Sequence, residues 1–253
     1  MADNSDRSNE SSNAVERSFR LLRFIAEGGQ TGNVSEAARQ LGVNRITLMR
    51  LIASLEALGL IVDGPAGHRL GLPFLTLASA ALGSSDLIGH ARAVLPTLAA
   101  LTRMSAYLVV REGAQIVYSL AEVPDTPLVS QIRVGSRLPA YRATPGLAML
   151  ALLEPAVLEQ MCATQWTEPD APSFDELSAR LAQVRADGCA WSHSGLEAGI
   201  DSCAAPIVDA SGNALAALSI AGPSRLFADR PEHDEALAQP VKRAAAQISK
   251  LLA

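Results

Sequence analysis

Between Ser35 and Gly71 apolar residues fall twice at helical spacing, each run ending in glycine, and then in two short segments around a Gly/Pro turn. Ser35 reads as the N-cap of a first helix, Ala37, Ala38 and Leu41 as its buried face, and Gly42 as its left-handed end. Asn44 reads as the cap of a second helix, with Leu48, Leu51, Ile52, Leu55 and Leu58 on one side and Gly59 closing it. Residues 60–62 and 69–70 then flank "DGPAGH", a turn suited to a hairpin. Upstream, Val15, Phe19, Leu22 and Ala26 share a helical face, Asn13 with Glu16 fits a capping box, and Gly28-Gly29 ends the segment. Three helices followed by a hairpin is the winged helix-turn-helix order, in which one helix enters a DNA major groove.

With the leucines turned inward, Arg45, Ile46, Thr47, Met49 and Arg50 are left outward near the start of the second helix. Arginine pairs with guanine or phosphate, threonine with base edges or phosphates, and apolar side chains with thymine methyls. His68 and Arg69 on the hairpin are placed to reach the DNA backbone or minor groove. A plain helical hairpin with a solvated arginine face is the competing reading, and the following wing disfavours it. Residues 14–71 hold seven arginines, no lysine and five acids, a net +2, whereas the chain from residue 72 onward holds 13 basic and 18 acidic residues. A modestly positive module on an acidic chain suits a DNA reader and excludes a histone-like or bulk RNA binder.

Farther on, residues 72–82 form a short apolar helix, and a longer one from about 86 to 104 aligns Leu87, Ala91, Val94 or Leu95, Leu98 and Leu101. Both a dimer surface and an intramolecular core remain open for these helices. Residues 106–123 predict a hairpin turning at Glu112-Gly113, and 128–140 another strand ending near Gly135. Helices are expected at 144–153, 155–163 and 173–187, the last with a Ser173/Glu176 capping box. Strands at 189–193, 201–209 and 213–223 follow, and a last helix that Pro240 must break or kink. Strands, helices and strands again predict an antiparallel sheet with helices against it, hence an α+β chain.

Composition narrows the chemistry. The 253 residues are 49% apolar and 4% aromatic, enough for packed cores and poor in base-stacking platforms. Cys162, Cys189 and Cys203 are odd in number and widely spaced, as in a reduced cytosol, and the four histidines lack ligand spacing. No metal or other cofactor is expected. Residues 1–12 are polar without an apolar stretch, which predicts a disordered tail and no signal peptide. No run approaches the ~20 apolar residues a membrane span needs, so the expectation is a cytoplasmic protein with no membrane partner.

Motifs for hydrolase, nucleotide or zinc-protease chemistry are absent, so no enzyme is predicted. Ser192, His193 and Ser194 are neighbours on a strand and point to alternate faces, which prevents a dyad. Cys203 in its apolar strand reads as a buried, inert thiol. Ser202, Ala204, Ala217, Ser219 and Ala221 alternate along two strands and form a face of little bulk. Such a face either leaves room for a small ligand or packs closely under a helix.

Four segments together resemble the IclR family of bacterial transcription regulators: "RITLMRLIASLEALGLIV", "HRLGLPFLTLASAAL", "VGSRLPAYRATPGLAMLALL" and "GIDSCAAPIVDASGNALAALSIAGP". The resemblance implies a winged helix-turn-helix DNA-binding domain at 13–71, a linker helix at 72–85 and a GAF-like effector-binding domain at 86–253. It implies a homodimer or homotetramer on palindromic double-stranded operator DNA, controlled by a small effector such as an organic acid or aromatic compound. The family's Thr-x-x-Arg-Leu falls on Thr47, Arg50 and Leu51, which assigns phosphate anchoring to Thr47 and Arg50. Ser35, Asn44, Arg45, Ile46, Met49, His68 and Arg69 complete the expected DNA-binding set. The family's effector loop falls on residues 141–148, with Tyr141 and Leu147 replacing its histidine and lysine. Its ligand-contacting serines fall on Ser202 and Ser219. The expected effector site is therefore Ala143, Thr144, Pro145, Gly146, Ser192, Ser202, Ser219 and Ala221. Leu138 and Ala221 would meet an apolar body, and the start of the helix at Thr144 an anionic or carbonyl oxygen, with Arg142 a possible added charge. The rival expectation is a second domain that only oligomerises.

Overall fold

The helical stripes close on one another in the first of two units, which divide near residue 84. This computed structural model describes residues 4–83, 86–126, 132–166, 168–193, 195–224 and 231–252. Helices α1 (Asn4–Ala26), α2 (Val34–Leu41) and α3 (Arg45–Ala57) bury Leu21, Ile25, Ala38, Leu48, Ile52 and Leu55 with Ile61 of strand β1 (Ile61–Gly64). Strand β2 (Gly67–Leu70) pairs antiparallel with β1, and α4 (Pro73–Gly83) follows. Gly42 and Gly59, at φ 63° and 66°, turn the chain out of α2 and α3. The amides of Val43 and Leu60 then reach back to the carbonyls of Ala38 and Leu55, which satisfies otherwise orphaned acceptors.

Several expectations change here. Helix α1 takes in residues 4–12, where a disordered tail was expected, so Asn13 lies within the helix and not at its start. Extending an existing helix adds a backbone bond per residue without the cost of a new nucleus. Its buried stripe is Leu21 and Ile25; Val15 and Phe19 are 70% and 60% exposed. Helix α2 begins two residues early because Asn33, not Ser35, caps it: the Asn33 side chain accepts from the Glu36 amide at 3.2 Å. Leu58 lies beyond the end of α3 and is exposed.

In the second unit α5 (Leu87–Thr102) leads into an antiparallel sheet of β3 (Ser105–Glu112), β4 (Gln115–Glu122), β5 (Arg137–Pro139), β6 (Ala190–His193), β7 (Ile200–Val208) and β8 (Ala214–Pro223), ordered β5-β4-β3-β8-β7-β6. Helices α6 (Thr144–Leu150), α7 (Pro155–Thr164) and α8 (Phe174–Asp187) pack on one face, α5 and α9 (Pro231–Leu252) on the other. The fold is α+β as expected.

Strand β5 begins after Gly135 (φ 91°) rather than ending there; residues 128–131 of the expected strand lie outside the described residues. The Ser173/Glu176 capping box forms. Helix α9 runs through Pro240. One lost backbone bond does not end it, because Ala238 and Val241 on either side are buried against the sheet.

Candidate functional site

Two surfaces carry the candidate chemistry, one in each unit. On the first, Asn44 caps α3 by accepting from the Thr47 amide at 2.7 Å, which sets the entry of that helix. Arg45, Ile46, Met49 and Arg50 are exposed along its first turns, with Ile46 73% and Met49 51% accessible, and Thr47 is partly buried. Bare apolar side chains between two arginines suit a groove that offers thymine methyls, guanine edges and phosphates. Ser35 is exposed in the first turn of α2, and Arg69 is exposed on the wing. Glu36 pairs with Arg39 and Gln40, and those hydrogen bonds hold its carboxyl down to about 2.

His68 does not join this surface. Its Nδ1 lies 2.7 Å from the Thr31 hydroxyl and its Nε2 3.1 Å from Glu56 Oε1, and its side chain is only 13% exposed. Glu56 sits eleven residues beyond Arg45, about 16 Å along the helix axis at 1.5 Å per residue. His68 is thus a strut between wing and helix, far from Arg45 and on the opposite face of the strand from Arg69.

On the second unit, a cavity of about 50 Å³ lies between the sheet and the start of α6. Ala143, Thr144, Pro145, Ser202, Ser219 and Ala221 all line it, so six of the nine expected residues come together. The register explains why: Ser202 pairs with Ala221 and Ala204 with Ser219, which puts the small side chains on one face. The Thr144 and Ser202 hydroxyls are hydrogen bonded at 2.5 Å, and Ser219 donates to the Cys203 carbonyl at 3.2 Å.

Three expected residues lie elsewhere. Leu138 on β5 pairs with Ile116 on β4 and packs, partly buried, against the core. Gly146 is used for close approach, because a Cβ there would overlap the Ala140 carbonyl. Ser192 lines a neighbouring, more open hollow of about 390 Å³, together with Arg142, Asp170 and Arg180. Thr144 and Leu196 line both spaces. Ser194 lies outside the described residues. Arg142 is turned away from the cavity and paired with Asp170, with a further bond to the Tyr141 hydroxyl. Glu197 is the charged side chain among the described lining residues, which argues against an anionic ligand.

The sequence missed the cavity's aromatic wall. Tyr107 and Tyr118 meet edge to face with ring centroids 5.3 Å apart, and the Tyr107 hydroxyl accepts from the Ile132 amide. Burial, with the charge of the neighbouring Tyr107 phenol adding, pushes the Tyr118 phenol well above its usual range, so it stays neutral. Strand periodicity on Tyr107 was visible, but its pairing with Ser219 needs the register of distant strands. Leu196 and Glu197 from the loop before β7, and Ile200 at its start, were likewise unmarked.

The cysteines are not isolated either. Cys203 pairs across the ladder with Trp191, two residues beyond Cys189, which brings the two thiols together on the α9 side. Its hydrogen bond with Cys203, with Lys242 nearby, lowers the pKa of the Cys189 thiol against the effect of its burial.

Among the described residues no helix is long and apolar enough to cross a membrane. Comparison with known proteins finds a family match in each part of the chain. Residues 14–64 match the IclR helix-turn-helix domain and residues 79–250 the bacterial transcriptional regulator IclR C-terminal domain. The glycerol operon regulatory protein of Streptomyces griseus is 30% identical over 247 residues, covering 94% of this chain and 95% of its own. The HTH-type transcriptional regulator XynR of Escherichia coli is 26% identical over 213 residues, 82% of this chain and 84% of its own. The crystal structure of an IclR transcriptional regulator from Alicyclobacillus acidocaldarius superposes with a TM-score of 0.77 at 26% identity, over 95% of this chain and 99% of that one.

Proposed function

Because the chain belongs to the IclR family and is a DNA-binding transcriptional regulator rather than an enzyme, we propose that it controls a catabolic operon by binding a palindromic operator as a homodimer or dimer of dimers. Arg45, Ile46, Thr47, Met49 and Arg50 read the major groove, with Ser35 and Arg69 on the flanking backbone. The observation that carries this reading is the pair of exposed apolar side chains, Ile46 and Met49, set between two exposed arginines on a capped helix. One such unit covers a half-site, so useful affinity calls for two-fold symmetry. Leu72, Leu75 and Leu77 in and beside α4 are 74%, 66% and 59% exposed, which supports a partner surface there.

The cavity over β3, β4, β7 and β8 is proposed as the effector site. Its volume holds roughly three to five water-sized groups at 10–15 Å³ each. The hydroxyls and buried phenols favour a small, uncharged compound with hydroxyl or carbonyl oxygens and an apolar side against the tyrosines. A larger effector needs Leu196 to move and join the neighbouring hollow. A second reading, a domain that only oligomerises, draws support from the small cavity and from Thr144 and Ser202 satisfying one another.

Operator binding is tested with DNA from upstream of the protein's own gene. Arg45→Ala should weaken specific binding by about 1–3 kcal/mol and relax one base per half-site. Arg50→Ala should weaken all sequences alike and lower the salt slope by about one unit. Wild-type affinity in both variants would refute the assignment of α3. A thermal-shift screen of small neutral metabolites decides between the two readings of the second unit.

A further inference from the structure

Glu56 near the end of α3, Asp63 on β1 and His68 on β2 converge on one point, and we propose that they form a divalent metal site that fastens the wing to the recognition helix. One ligand atom from each lies within 4.8 Å of the other two, and His68 Nε2 is already 3.1 Å from Glu56 Oε1. Asp63 and His68 are direct cross-strand partners, so the hairpin presents both on the same face.

The wing is held in place for this. The amides of Thr31 and Gly32 both donate to the Ala66 carbonyl at 3.1 Å, which clamps the hairpin turn onto the loop after α1. Gly67 permits that approach, with φ 116° and no Cβ to strike Gly32 or Thr31. The clamp sets the Thr31 hydroxyl, 1% exposed at the residue level, against His68 Nδ1. When Nδ1–H donates to this oxygen, Nε2 turns its lone pair toward the two carboxylates. Metal-binding histidines have this arrangement, one ring nitrogen on the metal and the other donating to an oxygen.

The donor set also selects the ion. One imidazole nitrogen and two carboxylates suit Zn²⁺, Co²⁺ or Mn²⁺, and their two negative charges balance a divalent cation. Tetrahedral zinc with bonds of 2.0–2.2 Å sets its ligands about 3.4 Å apart. The His68–Glu56 spacing is close to that, and the exposed Asp63 side chain has to swing by about an ångström. Three ligands leave a coordination position for water, as expected of an exchangeable site.

Cobalt is the probe, added to the full-length chain after chelator treatment. The expected result is one Co²⁺ per chain, with a visible ligand-field spectrum and no sulfur-to-cobalt charge-transfer band. Asp63→Asn keeps the Thr31–His68–Glu56 chain and should weaken Co²⁺ by more than about tenfold, because even outer partners of such sites are worth 10–100-fold. His68→Gln should abolish binding; if that variant unfolds, Asp63→Asn still decides. Zn²⁺ should slow amide exchange across residues 61–70 in the wild type and not in Asp63→Asn. Equal titration of Asp63→Asn and wild type, a thiolate band, or no binding at millimolar metal would overturn the site. The effect on DNA alone rests on the proposed operator binding: Zn²⁺ should tighten operator binding several-fold in the wild type only. Metal binding with unchanged operator affinity would refute that regulatory role.

Discussion

Replacing Gly67 with alanine should loosen the wing far more than the same change at Gly28, although both glycines have positive φ. At Gly28 (φ 90°) a Cβ meets nothing within 4 Å, so the cost is that of the backbone conformation alone, about 1–3 kcal/mol. At Gly67 (φ 116°) the Cβ would overlap the Gly32 nitrogen and the Thr31 hydroxyl. The wing then either strains, at about 1–3 kcal/mol, or lets go of the two bonds to Ala66, each worth about 0.5–1.5 kcal/mol. These are alternatives, so the excess over Gly28→Ala is about 1–3 kcal/mol. Both tryptophans and all three tyrosines lie beyond residue 100, which leaves aromatic fluorescence blind to this unit. Amide exchange across β1 and β2 is the suitable assay, and the excess corresponds to exchange roughly 5–150-fold faster at 1.4 kcal/mol per decade. Equal protection in the two variants would refute the clamp.

Ser219→Leu gives up the bond to Cys203, about 0.5–1.5 kcal/mol, and fills the cavity, so folding and operator affinity should persist while the effector response disappears. An unchanged dose–response would move the effector site elsewhere. Leu72→Glu combined with Leu75→Glu should shift the assembly toward monomer in sedimentation at micromolar protein, and an unaltered oligomer would exclude α4 as its interface. The Glu36 carboxyl should titrate near pH 2 by NMR and return toward 4.5 in Arg39→Ala. Because its folded value is depressed, its contribution to α2 is full above about pH 4.5 and disappears as pH falls toward 2. A wild-type midpoint near 4.5 would contradict the pairing with Arg39 and Gln40.

Sequence by itself determined the features that act over a few residues. Asn44, Gly42, Gly59 and the Ser173/Glu176 box mark helix ends because their hydrogen bonds close within six residues, and the structure has all of them. The outward set on α3 was legible for the same reason, since helical phase alone separates Ile46 and Met49 from Leu48 and Ile52. Ser35 failed as a cap because Asn33 competes for the same turn, and both choices satisfy the local pattern.

Tertiary structure decided whatever depends on register between distant segments. Only the β3–β8 pairing sets Tyr107 beside Ser219, and only the β6–β7 pairing brings Cys189 to Cys203. His68 read as a wing-tip contact because the chain shows it next to Arg69. The fold instead turns it onto Thr31 and Glu56, 37 and 12 residues away. Neighbours on a strand point to opposite faces, so which of them meets solvent is fixed by what packs against the hairpin.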